Sequence, residues 1–196
     1  MTFNDASSAR FVELATFRRM LGGSPIVGGP TRVMVNREET PGAIALRAMH
    51  NGYVTRFGIL HERVLVLSTD GLRLEGEDIF LDPDGEPRLR STRDEFAIRF
   101  HLHPTVRATR LTDGHGVMLM TPNKEVWTFG AYNDQVELED SVYLAGSEGP
   151  RRTLQLVIRG HARDAARVQW LLQGYPAAGA NGGARQADEE EPRLPL

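Results

Sequence analysis

Between Ile26 and Val157 short apolar or β-branched runs alternate with Gly, Pro, Asn and Asp clusters, at intervals of roughly ten residues. This spacing predicts an all-β chain, a two-layer antiparallel sandwich rather than a parallel sheet. The runs place strands at 32–35, 43–49, 58–67, 72–80, 96–103, 105–111, 116–120, 125–130, 136–142 and 153–158. Val168, Trp170 and Leu172 alternate as a final strand would, although Ala165 and Ala166 favour helix. Residues 7–21 carry apolar side chains at a spacing that suits one or two helical turns, and are expected to be irregular or helical. From Gly174 the composition turns to Ala, Gly and Pro and then to an acidic run. The expectation is therefore one sandwich domain over 1–173 and a disordered tail over 174–196.

The clearest local signal is Asp70-Gly71 between two apolar runs, which marks a hairpin. If Ser68 and Gly71 close the turn, His61 stands directly opposite Asp78. If Asp70 and Gly71 are its centre, the two are diagonal neighbours on one face. Either register leaves them within reach of a shared ion, and an inward Asp78 requires a partner. A second cluster follows at 96–103. Phe96, Ile98, Phe100 and Leu102 line one face of that strand, while Arg99, His101 and His103 share the other. Arg99 and His101 are thereby expected on an open sheet face that could receive a carboxylate. His-x-His on a strand can present two imidazoles to one metal, or the rings can simply hydrogen-bond within the sheet. His50-Asn51-Gly52-Tyr53 is a turn at a strand end that could face a ligand, with Tyr53 as a substrate contact, or could be an ordinary polar turn.

Composition narrows the classes. The chain has no cysteine, so any metal must use histidine and carboxylates. A net charge of −3 gives no basic face for nucleic acid. No stretch reaches the ~20 apolar residues of a membrane helix, and no leader is visible, which gives a cytoplasmic expectation, or a periplasmic one if the chain is a piece of a longer secreted protein. Of 23 basic residues only Lys124 is lysine. Arginine forks suit acidic sugars, although a GC-rich genome produces the same bias.

Taken in order, His50-Asn51-Gly52-Tyr53, the segment from Gly58 to Arg63, Leu74-Glu75-Gly76-Glu77-Asp78, the segment from Arg99 to Pro104 and Glu139-Asp140-Ser141-Val142-Tyr143-Leu144 resemble the C-terminal domain of bacterial, especially alphaproteobacterial, heparinase II/III-like proteins. The likeness covers about residues 5–173. It implies a β-sandwich that follows an α/α toroid in lyases cleaving uronic-acid polysaccharides by β-elimination. The chain begins about where that sandwich is already under way. The expectation is thus a domain without its toroid, inactive alone and needing a toroid from elsewhere, or a stand-alone carbohydrate-binding or interaction module. The resemblance also implies a structural zinc ion, for which His61, Asp78 and His103 match in type and order, and it leaves His50 or His101 as the residue the sandwich brings to the cleft.

Overall fold

The computed structural model describes residues 1–12, 20, 25–87, 94–112, 114–145 and 149–176. Its strands are β1 (Thr2–Phe3), β2 (Ala6–Ser7), β3 (Arg10–Phe11), β4 (Ile26–Gly28), β5 (Val33–Glu39), β6 (Ala43–Tyr53), β7 (Ile59–Ser68), β8 (Arg73–Leu81), β9 (Glu95–His101), β10 (Arg107–Arg110), β11 (Gly116–Met120), β12 (Val126–Ala131), β13 (Val136–Tyr143), β14 (Arg151–His161) and β15 (Arg167–Tyr175). One turn of helix, α1 (Val54–Phe57), joins β6 to β7. An eight-stranded antiparallel sheet in the order β10-β11-β12-β15-β8-β7-β6-β5 packs on a five-stranded one, β13-β14-β9-β1-β2, and β3 pairs with β4. The two-layer sandwich predicted from strand spacing is the fold.

Alternation decides what each strand buries. Phe96 and Ile98 on β9 point into the space between the sheets, as do Leu156 and Ile158 on β14. They meet Phe80, Phe129, Val168 and Trp170 from the large sheet. Phe80 lies 5.2 Å from Phe3 and 4.9 Å from Phe96, and Phe100 lies 4.8 Å from Phe129 and 4.7 Å from Trp170, so aromatic rings stitch the layers together. Each such side chain contributes about 1.5–3 kcal/mol by leaving water.

Three glycines serve those rings. Gly76 pairs with Trp170, Gly160 with Phe96 and Gly174 with Trp127 across neighbouring strands. In each pair the ring lies over the glycine, and a Cβ there would stand 2.0, 2.7 or 2.9 Å from a ring atom. No side chain fits beneath the ring.

Several expectations shift. β9 stops at His101 rather than 103, because Pro104 lacks an N–H and the chain turns, with the Val106 N–H donating to the His103 carbonyl at 2.9 Å. The final strand is real and runs through Gly174 to Tyr175, past the expected start of the tail. The remainder of that tail, 177–196, lies outside the described residues. In the segment expected to be irregular or helical, Ser7, Arg10 and Phe11 are in strands, while 13–19 and 21 lie outside the described residues.

Candidate functional site

The hairpin of β7 and β8 adopts the register centred on Asp70-Gly71, with His61 opposite Phe80 and Arg63 opposite Asp78. His61 and Asp78 are diagonal neighbours facing inward. His61 Nε2 lies 2.6 Å from Asp78 Oδ1. Arg63 adds a two-point grip, Nε to Oδ1 at 2.9 Å and Nη2 to Oδ2 at 3.0 Å. From β15 the Trp170 indole N–H donates to Oδ2 at 3.1 Å. Asp78 is fully buried, and each of its oxygens receives two donors. Burial alone would push its carboxyl up, but the His61 hydrogen bond, the Arg63 charge and the Trp170 N–H outweigh it and hold it below the ordinary carboxylate value.

A bulge then brings in a second ring. Between His50 and Tyr53 the register of β6 slips by one residue, so both side chains point to the inner face instead of opposite ones. His50 Nε2 lies 3.2 Å from His61 Nδ1, and the Gly52 N–H donates to His50 Nδ1 at 3.1 Å. These contacts fix the protons. A ring nitrogen facing the Asp78 carboxylate carries its proton, so neutral His61 is protonated on Nε2 and accepts on Nδ1. His50 must then donate from Nε2 and accept from Gly52 on Nδ1. The chain of donors runs from Gly52 through both rings to Asp78, and no nitrogen of either ring is free. Burial, together with the nearby His61 and Arg63, lowers the His50 pKa to about 4. It is neutral near pH 7.

That shift has a measurable consequence. His50 binds a proton in the unfolded chain below its ordinary value of 6.5 but resists one in the fold until about 4. Stability is therefore expected to be full above pH 6.5 and to fall as pH drops toward about 4, and Asp78 adds a further loss below the ordinary carboxylate range. Urea midpoints measured across this range should slope downward. His50→Gln should flatten the part between 6.5 and 4; an unchanged slope would show that His50 is not the titrating group.

His50 also lines a cleft of about 350 Å³ with Arg32, Met49, Asn51, Leu60 and Asp84. Asn51 is occupied in shaping it, accepting the Thr31 and Arg32 N–H groups at 3.0 Å each.

The other expected residues are placed elsewhere. Tyr53 is 2% exposed, packs 5.0 Å from Phe3 and donates its hydroxyl to the Met1 carbonyl at 2.6 Å, so it is a core residue and not a ligand contact. Arg99 and His101 lie on the outer face of the small sheet, as their alternation implied. Arg99 donates to Thr2 Oγ1 at 2.7 Å, and His101 Nδ1 lies 2.7 Å from Ser141 Oγ. His50 and His101 therefore sit on different layers and cannot act on one substrate group together. His103 is an exposed turn residue, its Nδ1 2.7 Å from Thr105 Oγ1 and its ring 4.9 Å from Tyr143. It does not join His61 and Asp78. Among the described residues no three His, Asp or Glu side chains gather for one ion. The zinc ligand set expected from the resemblance does not fit this arrangement, because both His61 nitrogens and all four acceptor positions of Asp78 are already used.

Comparison with known proteins identifies the family of this fold. The model of the family described as heparinase II/III-like, C-terminal, matches residues 1–171. The chain belongs to that family. FtsZ-localized protein C of Caulobacter vibrioides is 31% identical over 175 residues, covering 86% of this chain and 29% of that protein. The fold is also that of a heparan sulfate lyase from Pedobacter heparinus, with a TM-score of 0.59 at 9% identity over 74% of this chain and 22% of the lyase. A heparinase III crystal structure gives 0.54 at 12% identity over 76% of this chain and 22% of that one. The chain thus spans under a third of the length of each of these proteins. As a heparinase II/III-like C-terminal domain it is polysaccharide-lyase-like, and Arg63 and Trp170 are the site residues that sequence patterns missed. Arg63 was detectable, since the Asp70-Gly71 register sets it opposite Asp78.

Proposed function

We propose that this domain is the sandwich portion of a heparinase II/III-like lyase acting on uronic-acid polysaccharides, and that it does not turn over alone. The family match over residues 1–171 supports the lyase part of this reading, and the observation that supports the lack of turnover is the closed hydrogen-bond chain at His50. β-Elimination needs a base that takes the proton from the carbon bearing the carboxylate, and an acid that protonates the departing oxygen as the new C=C bond forms. His50 is among the residues lining the cleft, yet both its nitrogens are engaged and its pKa of about 4 makes it a poor base at neutral pH. Its role is to hold the wall of the cleft, where Arg32 supplies the positive charge for a substrate carboxylate. The reacting base and acid come from the remainder of a longer lyase, a helical toroid in the same polypeptide or on another.

The test is a lyase assay over several uronic-acid polymers, following the ultraviolet absorbance of the unsaturated product. The chain alone is expected to give none, and robust turnover would overturn the reading. A second reading, an interaction module without chemistry, is favoured by one observation: the relative at 31% identity is named for localisation to FtsZ, while the lyases stand at 9–12%. Co-sedimentation with FtsZ polymers, and no retention by immobilised polyuronates, would select it.

A further inference from the structure

We infer that Arg63 is a built-in cation that takes the place of a metal ion at Asp78, so that this domain folds and stays folded without divalent metal. The inference rests on the clasp itself and is independent of the catalytic reading.

The position calls for a positive charge. Asp78 is wholly inside the sandwich, and an ionised carboxylate there is stable only with a cation and a full set of donors. A zinc ion would supply that charge from ~2.0–2.2 Å and would tie together the strands that carry its ligands. Arg63 does both with covalently attached atoms. Its guanidinium meets Asp78 of β8 edge-on, in the two-point geometry, and it reaches there from β7 with a side chain 32% exposed. Its faces are used as well. The guanidinium carbon lies 5.8 Å from the Phe100 ring on β9 and 6.0 Å from the Trp170 ring on β15. One side chain thereby links β7, β8 and β15 of the large sheet to β9 of the small one.

The same geometry leaves an ion no room in charge or in ligands. A carboxylate offers about four lone-pair positions, and two donors on each oxygen fill them. His61 gives one nitrogen to Asp78 and the other to His50. His103, the third residue such a site would use, is committed to its own turn by Thr105. A divalent ion would have to displace a guanidinium already neutralising Asp78, and would leave two positive charges beside one negative one.

The test uses the full 196-residue chain. After dialysis against EDTA, elemental analysis should find less than about a tenth of a zinc per chain. The melting temperature should agree within about 1 °C in EDTA and in added zinc chloride. Arg63→Met should lower it by about 6–12 °C in both buffers, and Arg63→Lys, which keeps the charge but loses the fork, should fall between. About one tightly held zinc per chain, a melting temperature that drops on chelation, or an Arg63→Met protein that melts like the parent would each overturn the proposal. Should Arg63→Met not accumulate as folded protein, the metal content and chelation arms on the unaltered chain still decide it.

Discussion

Asp78→Asn is expected to cost the domain about 3–5 kcal/mol, the largest loss from any single substitution of similar shape. The amide keeps one acceptor oxygen but replaces the other with an NH2 group, which then faces the donors now on Oδ2, the Arg63 guanidinium and the Trp170 indole N–H. His61 loses the charge its Nε2 proton points at. Arg63 is left partly buried beside aromatic rings with no counter-charge. Urea denaturation of the two proteins at neutral pH measures the loss. The paired change Asp78→Leu with Arg63→Met should cost less than Asp78→Asn alone, because it leaves no uncompensated buried charge and strands only the neutral His61 and Trp170 N–H groups. A loss under about 1 kcal/mol for Asp78→Asn would mean that the buried network does not hold the sheets together.

Gly76→Ala should be nearly as damaging, about 3 kcal/mol and a melting temperature lower by about 6–12 °C, although it adds a single methyl group. That methyl would lie 2.0 Å from Trp170 Cζ2. The indole must lift, and lifting it withdraws the N–H that reaches Asp78 at 3.1 Å from the opposite strand. Overpacking and the loss of a hydrogen bond to a charged group therefore add. Gly42→Ala is the control, since nothing stands within 4 Å of a Cβ at Gly42. In the background Trp170→Ala the same change at Gly76 should cost little, and the difference gives the coupling between glycine and ring. Equal losses at Gly76 and Gly42 would refute the stacking account.

Local pattern reached far into this protein. Strands recur where β-branched runs stand between turn residues, and the Asp70-Gly71 turn restricts β7 and β8 to registers that leave His61 and Asp78 on one face. The alternation along β9 sent Arg99 and His101 outward and Phe96 and Ile98 inward, as observed. Even the pairing of Arg63 with Asp78 follows from the register that the structure adopts.

Other features lie beyond any such pattern. The bulge after His50 turns Tyr53 into the core, and a one-residue slip changes no local preference while reversing the side chain's face. His103 matched a metal ligand in type and order, but the turn at Pro104 carries it away from the hairpin. Trp170 meets Asp78 across 92 residues, because β15 inserts between β12 and β8. What the sequence by itself determined is the period-two division of each strand into an inner and an outer face and the hairpin at Asp70-Gly71, whose two possible registers both keep His61 and Asp78 on one face, since these depend on neighbours a few bonds away. Only the tertiary structure decided which strands lie side by side, and so which donors fill the Asp78 carboxylate, because strand order is chosen by the burial of whole faces and leaves no local mark on the residues it brings together.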